Sequence, residues 1–164
     1  MTDSRIVPCL WFDTQAEEAV EFYISVIPDS RIDAVQRAPG DDPAGKAGAV
    51  LMVEFTLGGT RFTALNGGPF FKFNEAISLQ IEVEDQAAMD RLYAALSAVP
   101  EAEQCGWLKD RYGLSWQLVP RPFIALMKNP DPAVRTRVFE AMMPMKRLDI
   151  AALQAAALEG AARG

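Results

Sequence analysis

The sequence predicts an α+β fold of two tandem strand–helix–three-strand (βαβββ) modules with C-terminal helices behind them. Three observations carry that expectation. Segments with two-residue apolar alternation are followed by helices with an apolar stripe of period 3.6. A diglycine separates two β-rich runs, which marks a hairpin. The same order of elements then begins again after "GGPFFKFNE" at residues 67–75, and beyond Pro120 only helical patterns remain.

Residues 5–12, "RIVPCLWF", read as the first strand. Thr14 then opens a helix, with Glu17 three positions on completing a reciprocal capping pattern. Ala16, Ala19, Val20, Tyr23, Val26 and Ile27 form its apolar stripe, and Pro28-Asp29-Ser30 ends it. A short strand, "RIDAVQ", leads into "APGDDPAGKAG", a loop by its Gly, Pro and Asp content. Residues 49–57, "AVLMVEFTL", turn through Gly58-Gly59 into "TRFTALN".

In the second module "AISLQIEV" is a strand, Asp85 caps a helix, and Met89, Leu92, Leu96 and Val99 make its buried stripe. Residues 101–105, 107–109 and 114–119 read as short strands. Of the later helices, "NPDPAVRTRVFEAMM" has Asp131 as cap and Pro132 at its first position. "LDIAALQAAALEG" has Asp149 as cap, with Leu148 and Leu153 placed as a hydrophobic staple. The domain expectation is one domain over 1–164, with a first module at 1–66, linker and second module at 67–120, and C-terminal helices at 121–164.

Composition narrows the function. A formal charge of -6 and a pI of about 4.7 argue against a nucleic-acid partner. No stretch reaches the ~18 apolar residues that span a bilayer, and the start "MTDSRIVPCLWF" lacks a secretory leader, so a cytoplasmic location and no membrane partner are expected. Cys9 and Cys105 are too few for a disulfide framework. The chain has no histidine, which removes His-based catalytic triads and every His-containing metal site.

The stretches "PCLWFDTQAEEAVEFY", "FTALNGGPFFKFNEAISLQIE", "QCGWLKDRYGLSWQLVP" and "MKRLDIAAL" resemble the PhnB-like branch of the glyoxalase, bleomycin-resistance and extradiol-dioxygenase superfamily, also called vicinal oxygen chelate. This branch is commonly labelled 3-demethylubiquinone-9 3-methyltransferase. The resemblance implies that each module curls its sheet into half of an open barrel around a ligand cavity, generally in a homodimer. It leaves the activity open, because such folds host many chemistries. The metal-ligand positions of relatives fall near Pro8, Phe62, Ser78 and Gln117, of which only Gln117 suits a metal. No metal and no cofactor are therefore expected, with Glu54, Glu75 and Glu82 the carboxylates that re-enter if the register is shifted by one residue. S-adenosylmethionine has no place either, since Gly67-Gly68 leads to Pro69 and aromatics rather than to a nucleotide-binding turn.

Among single residues, Gln117 either bonds a neighbouring loop, lines the cavity or lies at the surface. Trp11, Trp107 and Trp116 serve the core or a ligand platform. "NGGPFFKFNEA" is the best local candidate site: Phe70, Phe71 and Phe73 are too many large apolar groups for a solvent loop, and Asn66, Asn74 and Glu75 are its polar groups. That connector either lids a ligand or tucks under a dimer partner. Gln80, on the strand that follows, completes the candidate ligand-binding set. Asp110 is expected to bond the backbone amides of the turn beyond it.

The leading functional reading is a metal-free protein that binds a small, partly apolar molecule in an aromatic-lined cavity. The alternative is an enzyme using a carboxylate-held metal, or Glu54 or Glu82 as general base. A dimeric module acting through its surface is a third possibility.

Overall fold

The computed structural model describes residues 6–159, and the chain divides into two compact units with the boundary between Phe73 and Asn74. Arg5, at the expected start of the first strand, and Gly160, at the end of the last helical motif, lie outside the described residues. The fold is α+β, with one open sheet in each unit.

The first unit runs β1 (Cys9–Phe12), α1 (Ala16–Val26), β2 (Arg31–Arg37), β3 (Val50–Leu57) and β4 (Thr60–Asn66). Its strands lie in the order β1-β4-β3-β2, with β1 parallel to β4 and the other pairs antiparallel. The β3–β4 hairpin forms as the diglycine predicts, with Gly58 at φ 53° and Gly59 at φ 80°, a conformation that suits residues lacking a Cβ. Leu10, Phe12, Val53, Phe55, Phe62 and Ala64 are buried together with Ala16, Ala19, Val20 and Tyr23 of α1.

Two local expectations fail here. The first strand starts at Cys9, not at residue 5; Pro8 lacks an amide hydrogen and contributes only its carbonyl, which accepts from Thr63 N at 2.9 Å. The Thr14/Glu17 capping pattern does not form either. Gln15 holds the cap position without a side-chain bond to the helix amides, and the amide of Ala16 donates instead to Asn66 Oδ1 at 2.8 Å. Asn66 is brought there because it ends β4 directly beside Phe12 in the parallel register. Its Nδ2 donates to Val50 O at 2.9 Å, so both ends of the buried amide are bonded.

The second unit runs β5 (Leu79–Val83), α2 (Gln86–Leu96), β6 (Trp107–Lys109), β7 (Ser115–Pro120), α3 (Arg121–Met127), α4 (Pro132–Met142) and α5 (Ile150–Leu158). Strand order is β5-β7-β6, with β5 parallel to β7 and β6 antiparallel to it. First and last strands therefore pair in parallel, as in the first unit. The expected strand at 101–105 is replaced by a 3₁₀ turn, Pro100–Ala102, and an isolated bridge from Gln104 to Trp107. Pro100 favours that turn, and Cys105 at φ 50° breaks an extended run. Val99 lies beyond α2, whose buried stripe is Met89, Leu92 and Leu96.

Asp85, Asp131 and Asp149 cap their helices as predicted, accepting from Ala88 N, Ala133 N and Ala152 N at 2.8, 2.9 and 2.9 Å. Leu148 and Leu153 are both buried, consistent with the staple. The tail is tied to its unit by Gln86, which donates to Leu148 O at 3.2 Å and accepts from Ile150 N at 3.0 Å. Arg137 adds two bonds, to the carbonyls of Ala156 and Ala157 at 3.0 Å each, at the C-terminal end of α5.

Replacing Asn66 by Ala is expected to destabilise the fold by about 1–3 kcal/mol, because a buried amide and a part-buried carbonyl lose their partner. Thr14→Ala and Glu17→Ala should each stay within about 0.5 kcal/mol of wild type. Denaturant unfolding monitored by circular dichroism separates this remote cap from the local one.

Candidate functional site

Alternation along the strands gives each sheet a covered and an open face. In the first unit Trp11, Leu65 and Met52 sit opposite one another in register and make an apolar row on the open face. Trp11 is seated by its neighbours. Its indole lies where a Cβ on Gly67 would come within 2.3 Å of the ring, and its Nε1 donates to Gly68 O at 3.0 Å. Gly67 is therefore needed for close approach, and Gly68, at φ 87°, for the turn. Phe71 meets Trp11 edge-on at 4.9 Å between centroids, yet 66% of Phe71 remains exposed. Phe73 meets Phe12 in the same manner at 5.2 Å.

In the second unit the corresponding row is Trp107, Gln117 and Gln80. Lys109 and Ser115 form the next row on that face. Leu108, Trp116 and Leu118 take the opposite, covered face with the buried residues of α2. Gln117 thus faces the open side, as the alternation requires, and its Nε2 donates to Ser78 Oγ at 2.8 Å. Gln80 is exposed and Trp107 half-buried. The carboxylate of Glu75 pairs with the Lys109 ammonium, a hydrogen bond that holds Glu75 below the usual carboxylate range. Asn74 Oδ1 accepts from Ala76 N at 2.9 Å and shapes the turn after Glu75.

The candidate set therefore divides by unit. Trp11, Asn66, Phe71 and Phe73 lie in the first, where Trp11 and Phe71 meet on the open face, Phe73 packs on the buried Phe12 and Asn66 is the strut for α1. Asn74, Glu75, Gln80, Trp107 and Gln117 lie in the second. Trp116 is on the covered face, where its Nε1 donates to Asp110 Oδ2 at 2.8 Å. Asp110 also accepts from Tyr112 N at 2.8 Å and Leu114 N at 3.1 Å, the turn role expected of it.

The relatives' metal positions map less well. Phe62 points to the covered face and stacks on Phe55 at 5.5 Å, because it is out of phase with Thr63 and Leu65. Glu54 is on the open face but accepts from Gln36 Nε2 at 2.7 Å and lies 3.8 Å from Arg61. Glu82 pairs with Arg121 at 3.3 Å. Among the described residues no three His, Cys, Asp or Glu side chains converge as a metal-binding group. Sequence reasoning missed Gly67 as the seat for Trp11, and Met52 and Leu65 as its row. Pairing the strands in parallel would have revealed the row. The Glu75–Lys109 pair, 34 residues apart, leaves no local signal.

The family model described as 3-demethylubiquinone-9 3-methyltransferase matches residues 4–119. The chain belongs to this family. A PhnB protein from Bacillus cereus carrying the same description is 32% identical, with 71% of this chain and 99% of its own covered at a TM-score of 0.60. Protein PA1353 from Pseudomonas aeruginosa is 19% identical over 72% of this chain and 98% of its own, with a TM-score of 0.56. The fosfomycin resistance protein FosX from Listeria monocytogenes shares the fold at 12% identity, covering 79% of this chain and all of its own at 100%, with a TM-score of 0.50. No curated protein matches the sequence. The chain is thus a PhnB-like member of that family, and it shares its fold with FosX. Helices α3–α5 lie beyond the residues the family model matches.

Two outcomes test this geometry. Gly67→Ala should expel the indole from its seat at a cost of about 1–3 kcal/mol, read as a red shift in tryptophan emission that is absent when Trp11 is already Phe. Carbon-detected titration of Glu75 should give a midpoint below that of a free glutamate, and Lys109→Met should raise it toward the ordinary value. Because the folded value is depressed, the pair's stabilisation is full above the ordinary glutamate pKa. It is lost as the pH falls through the lowered value.

Proposed function

We propose that this PhnB-like chain binds a small, partly apolar molecule against the open faces of its sheets, without a metal. The observation that carries the reading is the seating of Trp11: a ring held by Gly67 and Gly68, flanked edge-on by a largely exposed Phe71. Fixing the indole in advance lowers the ordering cost of stacking a ligand on it. Exposed aromatics on a short glycine-turned connector have little packing value of their own.

Methyl transfer is disfavoured despite the family's label. The connection from β1 to α1 is Asp13-Thr14-Gln15, with no glycine to let a nucleotide cofactor approach the helix start. Self-association as a homodimer is supported by Phe70 and Ile77, exposed to 66% and 69%. The acidic charge supports partners other than nucleic acid. The two free cysteines suit a cytoplasmic setting. No described helix is long and apolar enough to cross a membrane. We place residues 121–164, whose described part carries α3–α5, as an appendage to one glyoxalase/bleomycin-resistance-like domain.

Calorimetry against a panel of aromatic metabolites and antibiotics should yield a ligand whose affinity falls about ten-fold or more, ~1.4 kcal/mol, in Trp11→Ala and in Phe71→Ala. Elemental analysis of protein purified without chelator should find no stoichiometric metal. Turnover of a panel compound, or a stoichiometric transition metal, would favour an enzyme instead.

A further inference from the structure

The Glu75–Lys109 pair is lopsided. Lys109 sits on β6 with only 22% of its side chain exposed, whereas Glu75, on the connector before β5, is 62% exposed. Most of the Lys109 side chain is covered, and an ion pair offsets the cost of covering a charged residue. Here the partner comes from a loop and not from the sheet. The cation is therefore fixed by a strand, and the anion is the removable member.

The surroundings of Lys109 are built from neutral polar groups and one ring. Ser115 lies opposite it in the register, Gln117 and Ser78 are bonded to each other on the same face, and Trp107 stands two residues back along β6. Trp107 and Lys109 share one face of β6, with their Cα positions about 7 Å apart. An aromatic acid can therefore lay its ring beside the first and turn its carboxylate to the second.

We infer that Glu75 stands in for the acid group of the ligand, and that this face takes a small molecule with a planar apolar body and a carboxylate. The carboxylate replaces that of Glu75 on Lys109, with the Gln117 amide and Ser78 hydroxyl beside it, and the body lies against Trp107. Displacing Glu75 frees the connector, so binding at this face and the position of residues 74–78 are linked. The inference rests on reading the open faces as ligand surfaces, and it adds the ligand's charge and the residue that competes with it.

Calorimetry of the intact protein with 2-naphthoate and with 2-naphthalenemethanol, alike in ring and different in charge, tests it. Wild type should bind the carboxylate about ten-fold more tightly than the alcohol, and Lys109→Met should erase the difference. Glu75→Gln should tighten the carboxylate about five- to ten-fold and leave the alcohol unchanged, because the internal competitor is gone. A lysine that served only to stabilise the fold would not produce that gain. If Lys109→Met fails to fold, the Glu75→Gln comparison decides alone. Equal binding of both probes, with no gain in Glu75→Gln, overturns the inference and leaves the proposed function standing. Binding of neither probe also overturns it, and the proposed function falls as well only if the wider panel yields no ligand.

Discussion

Parallel pairing between the first and last strand of each unit is the constraint on which the rest depends. β1 lies on β4 and β5 lies on β7, each pair bridged by a helix that follows the first strand. Because side chains alternate, fixing this register decides at once which residues are covered and which are open. It puts Phe12 beside Asn66, and so puts an amide acceptor where α1 begins. It puts Gln80 beside Gln117, and so makes a polar row where the neighbouring row, Leu79 and Trp116, is apolar. A slip of one residue would exchange these roles throughout a unit.

Covered and open faces are held by different means. The covered faces rest on apolar burial, with Trp116 joined to Asp110 so that its one polar atom is also bonded. The open faces keep their shape through connectors. Gly67 and Gly68 bring the chain close over Trp11, and Glu75 reaches Lys109. These connector contacts bury little apolar area and can be remade by a ligand, whereas the covered faces resist change. The helices beyond Pro120 follow the same logic, since Gln86 and Arg137 fasten α5 through backbone groups at its two ends.

How far the sequence shows this structure depends on the range of the interaction. The β3–β4 hairpin and the caps at Asp85, Asp131 and Asp149 were legible because turn and cap chemistry is set within four residues. Alternation, which is local too, sets Gln117 on the face opposite Trp116, but choosing among its loop, cavity and surface roles required the fold. The cap of α1 was not, since Asn66 lies 50 residues from Ala16 and an adequate local pattern, Thr14 to Glu17, stood in its place. The strand expected at 101–105 failed because apolar alternation there was weak and Pro100 began a tight turn. Phe62 was carried over onto the wrong face by a family alignment, where a single position matters. Of the candidate site, the aromatic connector could be read directly, while its seat on Gly67 and the Glu75–Lys109 pair required the fold.

Hydrogen exchange at the three indole N–H groups tests the register most directly, with each resonance assigned by a single Trp→Phe replacement. The Trp116 indole, buried and bonded to Asp110, should exchange at least about 100-fold more slowly than that of Trp107 on the open face. Rapid exchange at Trp116 with protection at Trp107 would show the faces reversed and contradict this account of which residues meet a ligand.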